Sequence, residues 1–566
     1  MTVSPRGILA ALARPVPWSP DPDPELARAL GYLGWAVDAE TVQRAGDAAG
    51  ALVGVALGTL AVAFGLGTAG RCGALVAGAC VAAGARAVPR VIATTRRTRA
   101  LGEAPGLVSR AALRMRLSPT PETAAAFAAD TGRGRLAESL SDHVERASGT
   151  GRTGLSAFAD EWAAWFPALR RALTLVESAG NAPPDERRRA LDGALDVILQ
   201  GTRETAAEFA SSVRGPATAL YAFGVLLPLA LVALLPAAGT VGLDVSAVAV
   251  VVGYDLLLPA VLVAASGWLL ARRPVAFPPA RIRRSHPEVP DGRWRGPAAG
   301  VVGGVAGWTV ATHAVAPWAK WIAAPGLAFG AGLFVAYRPT TDVRERVEEI
   351  ERGLPDALYL VGREVDRGRS VEAAMEDAAD ALDSATGSVF AAATRKQRQL
   401  KAGVRESLVG EYGAFASVPS QRGRGTAELL ALAAAEGRPA GQAVVAMADH
   451  LDDLRTVEER VRRELRQVTS TLRNTAAVFG PLVGGATVTL AGRMSADGPL
   501  SGGFPVATLG LAVGAYVLAL AVVLTALATG LERGLDRSLV GYRAGRSLVA
   551  ATVVFCTAIV ATRWLV

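Results

Sequence analysis

The sequence predicts an all-α, polytopic membrane protein with about nine transmembrane helices and two cytoplasmic helical-bundle domains. Three observations carry that prediction. Of 566 residues, 51% are hydrophobic, and the mean hydropathy is +0.31. The apolar residues gather into runs that match the about 20 residues a helix needs to cross a hydrocarbon core of about 30 Å. Between the runs lie two polar blocks, 94–214 and 338–474, which have helical periodicity and scarcely any strand-like alternation.

Residues 1–50 form a cytoplasmic N-terminal segment whose proline-rich lead lacks the continuous apolar stretch of a cleaved signal peptide. Asp23-Pro24 reads as an N-cap and first-turn proline, and Leu26, Leu30, Leu33 and Val37 recur as one stripe suited to a lipid surface or a neighbouring domain. A transmembrane hairpin occupies 51–93, as Ala51–Thr68 and Gly73–Ala93. The first block, 94–214, is cut into helices by Ser118-Pro119-Thr120-Pro121, Gly132-Arg133-Gly134, Gly149–Gly154 and Asn181-Ala182-Pro183-Pro184. Four spans fill 215–337: Gly215–Ala238, Val245–Ala271, Gly296–Ala316 and Trp318–Tyr337. Gly215-Pro216 is expected to break or bend the incoming helix at the membrane surface. In the second block, 338–474, helices are expected to begin near Leu354-Pro355-Asp356 and Ser370, with breaks at 383–387, 419–425 and 437–439. Three spans close the chain in 475–566: Thr475–Ala491, Phe504–Leu531 and Ser547–Trp564.

Arginines orient these spans. Arg86, Arg90, Arg96, Arg97 and Arg99 close the second span, Arg272, Arg273, Arg281, Arg283 and Arg284 follow the fourth, and Arg533, Arg537, Arg543 and Arg546 precede the ninth. All fall on one side, which the positive-inside rule makes cytoplasmic. The N-terminus and both blocks are then cytoplasmic and Val566 external. The net charge of +8 is thus a topology signal, and with no basic run interleaved with aromatics no nucleic-acid partner is implied. Cys72, Cys80 and Cys556 lie in or beside spans and suggest no disulfide framework. Glycine pairs such as Gly54 with Gly58, Gly300 with Gly304, Gly303 with Gly307, Gly326 with Gly330 and Gly480 with Gly484 permit close helix contact and suit a homo-oligomer, most simply a dimer.

The two blocks read as copies. Pro105 precedes Pro355, and Glu122 precedes Glu372, by 250 residues; Gly180 precedes Gly437 by 257 and Pro228 precedes Pro481 by 253. The stretch LPDALYLVGREVDRGRSVEAAMEDAADAL, from Leu354 to Leu382, resembles the first helix pair of the type II secretion system F domain. LLALAAAEGRPAGQAVVAMADHLDDLRTVEERVRRELRQ, from Leu429 to Gln467, resembles its closing helices. Two such domains in nine spans are similar to the archaeal platform proteins of type IV pili and archaella, relatives of the tight-adherence pilus platforms. In the first block the opening motif has become Glu103-Ala104-Pro105-Gly106, without the aspartate, so that copy is a divergent one. The resemblance implies a cell-membrane platform at the base of a filament. It implies as partners a hexameric cytoplasmic secretion ATPase, pilin subunits and the lipid bilayer, with no cofactor and no active site.

The residues agree with a non-enzyme. The only lysines, Lys320, Lys396 and Lys401, are followed by Trp, Gln and Ala, so none completes a P-loop, and His143, His286, His313 and His450 are solitary, without metalloprotease spacing. Inside the membrane the polar candidate is Asp255, beside Tyr254 in the fourth span. An ionised residue there costs about 2.5–3.5 kcal/mol on insertion scales, which makes it either an interhelical structural group or part of a transport path. A secondary transporter using Asp255, His313 and Lys320 is therefore the competing reading. Candidate ATPase contacts are Arg363, Arg367 and Arg369 in the second block, and Arg460, Arg462, Arg463 and Arg466 along its last helix. Their guanidiniums favour carboxylate partners, unless Glu458, Glu459 and Glu464 already neutralise the last helix.

Overall fold

A computed structural model describes residues 21–565 except 22, 36, 64–66, 150–152, 241–246, 274–281, 283–285, 291, 293, 437–439 and 498–505. Arg281, Arg283, Arg284 and the expected break at 437–439 lie outside the described residues. Those described contain no strand, and nine of their helices are long and apolar enough to cross a membrane. The protein is an all-α polytopic membrane protein. It divides into two compact units, one comprising residues up to Arg99 with Gly267–Arg273, the other comprising Ala100–Ser266 and Pro274–Val566.

In the first unit, α1 (Pro24–Leu33) starts where its cap was expected, the Asp23 carboxylate accepting from the backbone N–H groups of Glu25 and Leu26 at 2.9 and 3.2 Å. Its stripe of Leu26, Leu30 and Leu33 is buried against Ala39 and Val42 of α2 (Ala39–Ala63) and Ala93 of α3 (Gly67–Leu101), with Val37 alongside. Of the two roles open to that stripe, packing within the protein is the one realised. Two of the topology arginines are also ion-paired, Arg86 with Asp47 and Arg90 with Asp23. Gly54 meets Gly78 of α3, and Gly58 lies within reach of Ala74.

The second unit begins with α4 (Ala104–Leu117), α5 (Pro121–Thr131), α6 (Arg135–Ala147), α7 (Leu155–Ala163) and α8 (Pro167–Ser178), broken near the expected turns and also at 164–166, where no turn was expected. The long α9 (Pro184–Tyr221) then runs through a π turn at Ala222–Leu226 into α10 (Leu227–Thr240). Contrary to expectation, Pro216 does not end α9; the helix continues through it and changes geometry only at residue 222. The next spans are α11 (Ala247–Val251), a π turn at Val252–Leu257 and α12 (Leu258–Ala271), then α13 (Arg295–Val310) with a π turn at Ala311–Val315.

All 47 residues of α14 (Lys320–Asp366) form one helix, about 70 Å long, that joins a span to the second block. This corrects the expected helix start near Leu354: Pro355 lies inside α14, whereas its counterpart Pro105 opens α4 after the turn at Gly102-Glu103. The second block runs straight on from its span, whereas the first opens with a new helix. Next come α15 (Val371–Ala381), capped by Ser370, α16 (Ala385–Leu400), α17 (Val404–Val409) and α18 (Gln421–Glu436). Because α17 ends at Val409 and α18 starts at Gln421, the break expected over 419–425 lies earlier, over 410–420. The chain finishes with α19 (Ala440–Asn474), a π turn at Thr475–Phe479, α20 (Gly480–Asp497), α21 (Val506–Arg533) and α22 (Arg537–Leu565).

Element order therefore recurs. Helices α5 and α15 begin at Pro121 and Val371, α6 and α16 at Arg135 and Ala385, and both long return helices, α9 and α19, end in a π turn followed by Pro228 or Pro481. The blocks also share one hydrophobic core: Leu113 of α4 and Leu199 of α9 are buried among Leu358, Phe390, Leu430 and Met447 of the second block. With four candidate spans between them, both blocks emerge on the same side of the span set.

Close helix approach holds the spans. A Cβ on Gly307 would lie 2.6 Å from the Ala323 carbonyl oxygen, so α13 touches α14 backbone to backbone. On another face of α14, Gly330 lies against Gly545 and Val549 of α22. Gly484 faces Val513 and Val517 of α21.

Candidate functional site

Among the described residues four π turns lie in or at the end of the spans, each followed two residues later by a proline: those before Pro228, Pro259 and Pro481 interrupt a helix, and the one before Pro317 ends α13. Proline lacks the N–H that would bond to the carbonyl four residues back, and its ring crowds that carbonyl, so the helix widens there. Before Pro228 the carbonyl so freed is that of Gly224. The hydroxyl of Tyr516, on α21, donates to it, while the Tyr254 hydroxyl donates to the Pro228 carbonyl at 2.7 Å. The two rings meet edge to face with centroids 5.8 Å apart. This tyrosine pair locks the first block's exit helix to α21. Tyr516→Phe keeps the packing but strands the carbonyl, and should cost about 1–3 kcal/mol. A thermal unfolding curve in detergent unchanged from wild type would show that the bond is dispensable.

Asp255 sits in the π turn beside Tyr254, and its Oδ1 is buried without a hydrogen-bond partner. That turn packs on α21, whereas the turn carrying His313 packs on α22, and the Lys320 ammonium lies over the Trp308 and Trp321 rings at 4.6 and 5.7 Å. The His313 turn also packs on α14, which Lys320 opens, whereas the Asp255 turn packs on α21, so the three residues of the transporter reading do not share one set of neighbours.

The basic candidates split into two places. Arg363, stacked on Tyr359, Arg367, paired with Glu364, and Arg369, paired with Asp377, lie where α14 ends. There α14 crosses α19 so closely that a Cβ on Gly362 would lie 2.9 Å from the Val445 nitrogen. From Val445 to Arg463 is about 27 Å along α19, so the second cluster is far from the first. Within that second cluster Arg462 is committed to Glu458 at 2.5 Å, and Glu458 also takes Arg422 at 2.9 Å. Arg422 in turn lies 3.8 Å from Glu351, which accepts from the Ser420 hydroxyl at 2.6 Å. Arg460, Arg463 and Arg466 remain on the exposed face of α19.

Deeper along α19, facing the first block, is His450, wholly buried with neither ring nitrogen hydrogen-bonded. It lies well before the membrane-spanning part of its helix. Burial, reinforced by the guanidiniums of Arg116 and Arg422, pushes its imidazole down to about 4.

Sequence reading missed a girdle of ion pairs where the second block meets the spans. Buried Arg344 of α14 bonds to Asp536 at 2.9 Å and to the Ser538 hydroxyl at 3.4 Å. Four residues on, Glu348 binds Arg533 at 2.6 Å. Glu532, only 9% exposed, takes both Arg473 of α19 at 3.3 Å and Arg543 of α22 at 2.9 Å. The turn between α21 and α22 is thereby tied to both helices that join the second block to the membrane region.

No family model matches this chain, and neither the curated proteins nor the solved structures include one with detectable similarity to it.

Proposed function

We propose that this protein is a non-enzymatic membrane platform of a type IV pilus, archaellum-like or type II secretion-like assembly system, working as a dimer in the cell membrane with both blocks and its N-terminus in the cytoplasm. A hexameric cytoplasmic secretion ATPase acts on the blocks, and the displacement reaches spans against which pilin subunits are inserted. The observation that supports this reading is mechanical: α14 passes from span to block without interruption, α9 and α19 return from block to span through a single π turn, and ion pairs join α14 and α19 to the α21–α22 turn. A carrier with short loops has no use for such levers. The transporter reading draws less support, since Asp255, His313 and Lys320 do not converge.

The exposed arginines of α19 are the surface to alter, and Arg462 is left in place because it neutralises Glu458. Arg460→Glu, Arg463→Glu and Arg466→Glu together should nearly abolish filaments at wild-type protein level. A glycine pair inserted after Gln467 should do the same while ATPase binding persists. Normal filament numbers from both variants would remove α19 from the motor contact and from the force path.

A further inference from the structure

An open groove of about 710 Å³ runs along the seam between α13 and α14, unfilled by the described residues. Gly300, Gly304 and Ala328, which touch across the seam, form its floor, and Val301 and Val305 face Phe329 and Leu333 along its rims. Where glycine lines the floor, an occupant lies close to helix backbone. From Gly296 to Trp308 the groove follows about 18 Å of helix, comparable to one leaflet of a hydrocarbon core about 30 Å thick. Trp308 closes one end. There the Lys320 ammonium rests 4.6 Å from the Trp308 ring centroid, and Trp308 meets Trp321 edge to face at 5.2 Å. Lysine among tryptophans marks the membrane–water boundary. Lys320 is the only lysine in any of the spans and has no acidic partner among the described residues.

We propose that this groove binds one anionic membrane lipid, its chain along the glycine floor and its phosphate at Lys320. An apolar slot about one leaflet deep, with exposed Arg295 beside its Gly296 end and the Lys320 ammonium against the Trp308 ring that closes the other, matches an amphiphile of negative charge. A second copy of the chain fits less well. A two-fold axis along the membrane normal would set both Lys320 ammoniums at the same depth in the same interface, like charge facing like.

The test uses the full chain in nanodiscs of phosphatidylcholine with one-fifth phosphatidylglycerol, followed by native mass spectrometry of the lipid retained. Wild type should retain phosphatidylglycerol with about fivefold preference over its bulk share, as expected for one lysine at an anionic surface. Lys320→Gln should lose that preference without losing its fold. Val305→Trp, at the exposed rim, should fill the slot and reduce retention of both lipids. Equal preference in wild type and Lys320→Gln, or no retained lipid in wild type, overturns the proposal. So does a wild-type dimer that Val305→Trp dissociates, which would assign the groove to a second copy. If Val305→Trp fails to fold, Lys320→Gln decides alone.

Discussion

Glu532→Gln is expected to destabilise the protein by about 3–5 kcal/mol, because it leaves the guanidiniums of Arg473 and Arg543 largely buried without their shared carboxylate. The geometry makes compensation difficult. The nearest other acids of the girdle are already engaged, Glu348 with Arg533 and Asp536 with Arg344. The glutamine oxygen can still accept from the guanidiniums but supplies no charge. A suitable control is Glu428→Gln, whose partner Arg405 is 75% exposed; that pair is worth at most about 1 kcal/mol. Tryptophan-monitored melting in detergent should place Glu532→Gln several degrees below the control. Coincident curves would mean that the girdle does not hold the block to the spans.

Acid should loosen the contact between the two blocks through His450. The unfolded imidazole titrates near 6.5 and the buried one near 4, so between these values the unfolded chain binds the extra proton. Stability from this group is complete above about pH 6.5 and is lost as pH falls towards 4. The difference amounts to about 3 kcal/mol. His450→Leu removes both the titration and two unbonded ring nitrogens, and should flatten the pH dependence of melting over that window. An equal acid slope in wild type and His450→Leu would place the sensitivity elsewhere.

Much of the fold was legible because it is local. Run length marked the nine spans, and Asp23 and Ser370 marked helix starts through bonds to N–H groups two or three residues ahead. Proline was harder to read. At Pro105 and Pro355 the local sequence is similar, yet one opens a helix and the other lies within one, since continuation depends on the residues before it and on what packs around it. The girdle was hidden for a different reason: its partners, such as Arg344 with Asp536, are far apart in the chain. A local signal did exist. Glu532 and Asp536 stand among arginines that the topology rule explains by itself, and that rule gives acids no part. The basic surface of α19 was half legible, because the acids named as able to neutralise it include Glu458, which does take Arg462, but nothing local could reveal Arg422 reaching the same carboxylate.

The position of Arg344 within α14 has a mechanical consequence. From Lys320 to Arg344 the helix measures about 36 Å, and from Arg344 to Asp366 about 33 Å. Clamped there to the α21–α22 turn, α14 is a beam with its fulcrum near the centre and a mechanical advantage close to one. Because the Lys320 arm packs on α13 and α22, a sideways push at the Asp366 end would reach the other end only by carrying those spans with it, with the opposite sign.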